Sequence, residues 1–421
     1  MKQPRKWYKL DNVATIMPSA AHGVNTRVFR IACELLEDVD GVVLQEALDR
    51  TIVSFPYLLS VLRKGLFWYY LDSRDIRPVV TEDALPACSP LYYPGRKNLL
   101  FRVTWYRKRI NLEMFHALMD GTGGLVFLKA LVTCYLSIRH GFRLPDAPDG
   151  TASQEDQAVD AYRHYYERQK GLRQLQAMAS SRAYCLRGER DQDLLPHLIE
   201  GTVSASRFVK AAKENSASVG VFAVSVYIAA AMDEMSVRDR KRPIVVSVPI
   251  DLRRFFPSGT NRNFFGVINV FYRPKEYDGK FESIVTAVRE SFAKQLSAGN
   301  VSQVMNSYEE LEHNMAIKMV PLFFKDIATG FLNDLALKGE TTTLSNLGTI
   351  EMPEETVPYI SKFCPFMTAY SEQICVATFG DNMVFGEVSA YTTHTIMLNF
   401  FRRLVALDIP VELASNDFEE A

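Results

Sequence analysis

One short segment of the chain concentrates residues that can do chemistry. His116 ends an apolar, strand-like run, Asp120 follows four residues later, and Gly121 opens the stretch Gly-Thr-Gly-Gly. A histidine side chain has an unperturbed pKa near working pH, so it can take up a proton in one step and return it in the next. Glycine at 121 leaves space where a substrate or a backbone must pass closely. The segment therefore indicates a general base beside a tight turn.

Three other interpretations of this segment remain open. His116 can be a hydrogen-bonded core histidine, with Asp120 as the N-cap of a helix that begins near Gly123, and for an isolated pattern this is the commoner outcome. The spacing of His116 and Asp120 can also ligate a metal, but no further ligands have a recognisable spacing, and we predict no metal site. The glycine cluster can cradle a phosphate, but it lacks the P-loop lysine and the dinucleotide spacing.

Length, charge and cysteine usage limit the class of protein. The 421 residues exceed the size at which one core stops growing, so two lobes are expected. The 48 basic and 49 acidic residues give a formal net charge of -1, which predicts no nucleic-acid partner. The longest nearly apolar run, Val219 to Met232, is too short to span a bilayer. Six scattered cysteines without a CxxC pair favour reduced, mostly buried thiols and a cytoplasmic location.

The elements that must position the candidate base follow from the apolar pattern. Strands are expected at 28–35, 65–71, 99–106, 110–115, 243–250, 266–272, 342–347, 374–379, 383–388 and 395–400. Helices are expected after Asp40, at 125–139, 154–176, from Ala205, at 222–232, 281–296 and 320–337. A run of turn formers at 145–153 predicts a linker or surface excursion. The result is an α/β layout with an N-terminal lobe over 1–180 and a C-terminal lobe over 181–421.

Further motifs extend the pattern over nearly the whole chain. They are the opening Tyr8 to Pro18, the segment Pro249 to Pro257 that continues to Asn263-Phe-Phe-Gly266, and Ser345-Asn346-Leu347-Gly348. Together with His116-Ala-Leu-Met-Asp120-Gly121, they resemble the HxxxDG acyltransferase superfamily. That superfamily contains chloramphenicol acetyltransferase, plant BAHD acyltransferases, alcohol acetyltransferases, polyketide-associated acyltransferases and nonribosomal condensation domains.

The resemblance implies a fold, a reaction and a role for each matching residue. The fold would be two chloramphenicol acetyltransferase-like lobes, each a mixed sheet flanked by helices, with a tunnel between them. His116 would be the general base that activates an alcohol or amine toward an acyl-CoA thioester. Asp120, Gly121 and Arg253 would organise the site, with Asp120 and Arg253 as an ion pair. Ser345 or Asn346 would bind substrate or the oxyanion, although a strand-end turn that satisfies its own backbone is an equal alternative.

The implied partners are a small-molecule acceptor and acyl-CoA as cosubstrate, with no tightly bound cofactor and a monomeric protein. The Asp-Phe-Gly-Trp-Gly motif of plant BAHD enzymes is missing from the sequence, so the substrates of that subfamily do not transfer. No carrier or adenylation module follows, which favours a free-standing enzyme. The alternatives are a condensation-type protein that uses a carrier-protein thioester and a non-catalytic acyl-thioester-binding module. Arg254 and Arg262 are expected at the solvated surface, and His394 is expected to be structural rather than catalytic.

Overall fold

The computed structural model describes residues 6–143, 153–167, 182–190, 193, 195–313, 319–368 and 370–416. Within these ranges the strands are β1 Trp7–Lys9, β2 Val28–Leu35, β3 Ser60–Lys64, β4 Tyr69–Ser73, β5 Thr81–Glu82, β6 Phe101–Tyr106, β7 Arg109–Phe115, β8 His197–Ser204, β9 Ile244–Asp251, β10 Phe265–Tyr272, β11 Thr342–Thr349, β12 Ile360–Met367, β13 Glu372–Phe379, β14 Asn382–Ser389 and β15 Val411–Ser415. The helices are α1 Asn12–Ala20, α2 Gly41–Thr51, α3 Gly121–His140, α4 Gln154–Gln157, α5 Ala161–Tyr165, α6 Ala205–Glu214, α7 Val219–Glu234, α8 Phe281–Gln295, α9 Ala298–His313, α10 Leu322–Leu337 and α11 Thr395–Ala406.

The first lobe is built on a five-stranded mixed sheet in the order β12-β2-β7-β6-β5. Strands β6 and β7, both expected from the sequence, pair antiparallel as a hairpin that turns at Arg107, whose φ of 48° is left-handed. Asp40 caps α2 through the backbone N–H groups of Val42 and Val43, as the sequence predicts. Helices α2 and α3 contact each other, and α3 packs on β2 and β7. This core holds the strand that ends at the candidate base.

The second lobe is built on a seven-stranded mixed sheet in the order β10-β9-β11-β13-β14-β8-β15. Strand β11 runs parallel to both of its neighbours, and the other pairings are antiparallel. Helix α7 is buried over most of its length and packs against α8 and α11. Each large sheet is therefore mixed and flanked by helices, as expected for two lobes of the predicted class. The remaining strands, β1, β4 and β3, form a small three-stranded sheet.

One strand crosses between the two halves of the chain. Strand β12 lies late in the sequence but pairs antiparallel with β2, with Phe363 opposite Cys33. The sequence gives a weak signal for it, because Pro365 interrupts the strand pattern. A proline is tolerated there because β12 is the edge strand of its sheet. The expected boundary near residue 180 lies outside the described residues, as does the expected linker at 145–153 except for Ser153, which caps α4.

The expected strand at 395–400 is wrong, because this segment is the start of helix α11. The β-branched Thr395 and Ile396 favour a strand locally. The buried residues, however, are Ile396, Met397, Phe400, Phe401 and Leu404, whose spacing fits one face of a helix. That face covers the second sheet, so tertiary burial overrides the local propensity. The expected helix at 154–176 is described only as the short helices α4 and α5, and helix α9 was not predicted.

Helix α3 has the length and composition of a membrane-spanning helix, although half of its most apolar window is buried inside the fold. Leu128, Leu131, Val132 and Tyr135 are all 0 % exposed. Helices α6 and α7 satisfy the same criterion only as a pair bent by 82°. Core packing accounts for the apolar character of α3. The cysteines are all free, and all but the half-buried Cys185 are buried, as the sequence suggests.

Candidate functional site

His116 directly follows β7 and is only 8 % exposed. Its backbone N–H donates to the carbonyl of Arg27 at 2.9 Å, which fixes the main chain where the strand ends. The rings of Phe29 and Phe265 contact the imidazole edge-on and at a tilt, each with its centroid 5.5 Å from that of His116. Phe29 comes from the first sheet and Phe265 from the second. The histidine therefore lies where the two lobes meet.

Asn263 holds the imidazole from the second lobe. Its side-chain oxygen lies 3.0 Å from Nδ1 of His116, and its Nδ2 donates to the backbone carbonyl of His116 at 3.1 Å. The other ring nitrogen, Nε2, has no hydrogen bond with any residue that the structure describes. One ring nitrogen is thus held by the protein, and the other is not engaged by the described residues.

Burial lowers the pKa of His116 from the usual 6.5. Asp120, the histidine's own backbone and Asn263 act in the opposite direction and favour the protonated ring, while Arg27 disfavours it. The lowered pKa means that the imidazole is neutral at pH 7. A neutral imidazole with a free nitrogen is the form required of a general base.

Asp120 bonds to two backbone N–H groups and to Arg253, and it makes no hydrogen bond with His116. Its Oδ1 accepts from the backbone N–H of Gly123 at 2.9 Å, which makes it the N-cap of α3. Its Oδ2 accepts from the backbone N–H of Phe264 in the second lobe at 2.9 Å. Arg253 pairs with the same carboxylate, with Nη1 2.9 Å from Oδ2 and Nη2 3.3 Å from Oδ1. Asp120 is therefore the N-cap of α3 and the ion-pair partner of Arg253 at the same time.

Arg253 and Asn263 both belong to the connection between β9 and β10, residues 252–264, which we call the crossing loop. Arg253 also donates to the backbone carbonyls of Thr260 at 3.0 Å and Arg262 at 2.6 Å. A second carboxylate, that of Asp251, lies 3.0 Å from its Nη1. The guanidinium thus shapes the crossing loop from within while it binds Asp120 across the lobes.

The expectation that Arg262 is a solvated surface charge is wrong. Arg262 is 3 % exposed, and its Nη2 donates to the carbonyl of Lys9 at 2.7 Å and lies 3.4 Å from Oδ2 of Asp11. The sequence gives no sign of this pair because 251 positions separate its members. Asp11 is fully buried, and burial raises its pKa to about 6 despite the opposing charge of Arg262. Arg254, by contrast, is exposed as expected.

Gly121, the last residue of the motif, and Gly123, two residues later, allow close contact between the lobes. A Cβ at Gly123 would lie 1.9 Å from the carbonyl oxygen of Asn261 in the crossing loop. A Cβ at Gly121 would lie 2.9 Å from Cδ2 of Leu347 on β11. The first clash is against rigid backbone and the second against a movable side chain. Glycine at 123 is therefore the stricter requirement, although the sequence argument emphasised Gly121.

Among the described residues, neither Ser345 nor Asn346 makes a hydrogen bond with His116. Ser345 is half-buried on β11, opposite Cys375 of β13, and its hydroxyl makes no hydrogen bond in the described part of the chain. Asn346 is exposed, and its side-chain oxygen accepts from the backbone N–H of Gly348, whose φ is 79°. Asn346 thus satisfies a local turn, whereas Ser345 has a free hydroxyl. Strand β11 approaches the motif through Leu347, whose side chain lies against Gly121.

The two remaining histidines of interest lie away from this network. His394 is 8 % exposed, and its Nδ1 lies 2.9 Å from Oε2 of the buried Glu387, which fits the expected structural role. His22 is exposed beside a short backbone bridge to Asn25.

No protein-family model matches the chain, and no curated protein sequence matches it. Solved structures do match. Polyketide synthase associated protein 5 from Mycobacterium tuberculosis is 16% identical, with a TM-score of 0.61 over 94% of this chain and 96% of that one. The first condensation domain of the CDA synthetase is 14% identical, with a TM-score of 0.62 over 97% and 99%. TRI101 of F. sporotrichioides, solved with coenzyme A and T-2, is 10% identical, with a TM-score of 0.64 over 94% and 97%.

These matches cover almost the full length of each protein. The chain therefore has the two-lobed fold of the CDA synthetase condensation domain and of TRI101, as predicted from its motifs. At these identities the likeness concerns the fold, and the chemistry must be argued from the site.

Proposed function

We propose that this protein is an acyltransferase that moves an acyl group from an acyl-CoA thioester to an alcohol or amine, with His116 as general base. The observation that carries the proposal is the state of the imidazole. Nδ1 faces Asn263, Nε2 has no hydrogen bond with a described residue, and burial keeps the pKa below its usual value. The fold shared with TRI101, which was solved with coenzyme A, supports a thioester as donor.

In this mechanism Nε2 of His116 removes the proton from the acceptor hydroxyl or amine as its oxygen or nitrogen attacks the thioester carbonyl. A tetrahedral intermediate forms and its C–S bond breaks. The imidazolium then returns the proton to the leaving thiolate, so the enzyme regains its starting state. No covalent acyl-enzyme is required, because the acceptor itself is the nucleophile.

The tetrahedral intermediate needs a hydrogen-bond donor at its oxyanion, and Ser345 is the better of the two candidates. Its hydroxyl is a donor that no described residue engages, whereas Asn346 is exposed and its side chain is held at the local turn by the bond from the Gly348 N–H to its oxygen. In this proposal Asp120, Gly121 and Arg253 shape the site and touch no substrate. Acyl-CoA acts as a cosubstrate, and no resident cofactor is invoked.

The decisive experiment measures free thiol release from a panel of acyl-CoA donors against alcohols and amines, for the wild type and for His116→Ala. The variant should lose acyl transfer while keeping its fold, because the imidazole is needed for chemistry more than for packing. The control is His140→Ala, which removes a histidine that stacks on Tyr359 at the far end of α3. Unchanged turnover in His116→Ala would exclude this mechanism.

The same assay separates the alternatives. A condensation-type protein would use an acyl group carried on a phosphopantetheine carrier protein and ignore free acyl-CoA. A binding module would retain acyl-CoA in equilibrium dialysis without releasing thiol. The free cysteines, five of them buried, support the further proposal of a cytoplasmic location. Sedimentation would test the proposed monomer.

A further inference from the structure

A chain of three buried side chains leads away from the candidate base. Asn263 lies between His116 and Asp11, and the exposed fractions of the three are 8 %, 1 % and 0 % for His116, Asn263 and Asp11. Nδ2 of Asn263 lies 3.2 Å from Oδ2 of Asp11 and donates to it. The same nitrogen donates to the carbonyl of His116 at 3.1 Å, and the amide oxygen faces Nδ1 at 3.0 Å.

The partners of Asn263 determine which way its amide points. A side-chain amide has two N–H donors on nitrogen and only acceptor sites on oxygen. The carboxylate of Asp11 and the carbonyl of His116 can only accept, so both require the nitrogen end. The oxygen end must then face Nδ1, and an oxygen that can only accept requires Nδ1 to carry the proton. In the neutral ring this leaves Nε2 without a proton.

Asp11 is held as an acceptor by its other neighbours. Its Oδ1 accepts from the backbone N–H of Ala14 at 2.8 Å, as the N-cap of α1. Arg262 supplies the facing positive charge, with Nη2 3.4 Å from Oδ2. The motif aspartate cannot take this role, because the oxygens of Asp120 are occupied by Arg253, Gly123 and Phe264.

We propose that Asp11 is a positioning residue for the general base: through Asn263 it fixes His116 in the Nδ1–H tautomer and leaves Nε2 free to take the substrate proton. The effect on catalysis rests on the proposed function, whereas the tautomer can be measured without any substrate. Asp11 never touches the imidazole. It acts only by setting the orientation of the amide between them.

The test replaces Asp11 by asparagine and reads the tautomer by long-range ¹H–¹⁵N correlation in protein labelled at its seven histidines. The signals of His116 are those lost in His116→Ala. In Asp11→Asn the new side-chain oxygen keeps the cap of α1, so its NH2 group faces Asn263 and forces that amide to turn. The donor end of Asn263 then meets Nδ1, and His116 is expected to move to the Nε2–H form. Blocking the base should reduce kcat/KM about 100-fold or more.

Asn263→Ala is the second variant, since it removes the relay and leaves the contacts of Asp11 with Ala14 and Arg262 in place. It should also abolish the preference for Nδ1–H, and it decides the question if Asp11→Asn does not fold. The matched control is Asp40→Asn, which alters the N-cap of α2 and should change neither the spectrum nor the activity.

A wild-type His116 in the Nε2–H form would overturn the proposal, as would variants that both keep Nδ1–H. Acyl transfer that persists alongside such a result would leave the proposed function standing. The predicted tautomers without any acyl transfer in the wild type would support the relay and reject the proposed function.

Discussion

The ion pair between Asp120 and Arg253 can be tested by a double-mutant cycle of Asp120→Asn, Arg253→Met and the combined variant. The side chain of Asp120 is 6 % exposed and that of Arg253 is 12 % exposed. Because water reaches neither charge well, each charge is stabilised mainly by its partner. Asp120→Asn is nearly isosteric, whereas Arg253→Met keeps the aliphatic stem of the side chain and removes the guanidinium. The interaction between the two side chains is therefore read from the coupling free energy of the cycle and not from either single variant.

The two single variants should differ in cost. Removing one partner of a buried pair costs roughly 3–5 kcal/mol, and Arg253→Met belongs in that range because it also leaves the carbonyls of Thr260 and Arg262 without their donor. Asp120→Asn should cost less, about 2 kcal/mol, because asparagine still caps α3 and Arg253 keeps Asp251. The double variant should be less destabilised than the sum by about 1–3 kcal/mol.

Urea unfolding gives these free energies directly, and a thermal scan checks them. At an unfolding entropy of about 2.1 cal/mol/K per residue, 421 residues that unfold as one unit lose about 1 °C of Tm per kcal/mol. The matched control is Arg403→Met, whose partner Asp233 lies 2.7 Å away with both side chains about 40 % exposed. Such a surface pair should contribute about 0–1 kcal/mol.

Two results would contradict this account of Asp120. One is additivity within about 0.5 kcal/mol, which would mean that the two side chains do not depend on each other. The other is an Asp120→Asn variant that loses acyl transfer with an unaltered Tm, because an organiser cannot fail without a cost in stability. In that case Asp120 would be part of the chemistry.

The remaining predictions concern the base, the close approach and the oxyanion. Because burial lowers the pKa of His116, kcat/KM should rise with pH through a value below 6.5 and stay level at neutral pH; a rise centred above 6.5 would contradict the assigned cause. Gly123→Ala should lower both Tm and activity, because the added Cβ would lie 1.9 Å from the carbonyl oxygen of Asn261. An unchanged Tm would show that the crossing loop can move away from the new Cβ without a cost in stability. Ser345→Ala should reduce kcat by roughly 100-fold at unchanged Tm if this hydroxyl binds the oxyanion; an unchanged kcat assigns that role elsewhere.

The sequence was sufficient for the parts of the site that are local. The position of His116 at a strand end and the capping of α3 by Asp120 follow from neighbouring residues, because a strand end and an N-cap are short-range features. Arg253 required a family resemblance, since nothing in its own surroundings points to Asp120. The expected aliphatic strands near the centre of each sheet were also found, with boundaries that shifted by a few residues.

The rest of the site depends on contacts between distant segments. Asp11 and Asn263 both lie in segments on which the family resemblance rests, but they are 252 positions apart and nothing in either segment indicates that the two side chains meet. Arg262 was expected at the surface because most arginines in proteins are exposed. It is buried instead, next to the buried carboxylate of Asp11. The strand predicted at 395–400 failed for a related reason, because the period of the buried face is visible only when the segment is followed to Leu404.

Through the crossing loop, the His116–Gly121 segment of the first lobe depends on contacts from the second lobe. It supplies the guanidinium that meets Asp120 and the amide that meets Nδ1 of His116, both within thirteen consecutive positions, 252–264. A fragment that ends before the crossing loop would keep the His116–Gly121 segment. It would lose the Asn263 contact that orients the imidazole of His116. The orientation of the imidazole and the ion pair of Asp120 therefore depend on the same interface between the lobes.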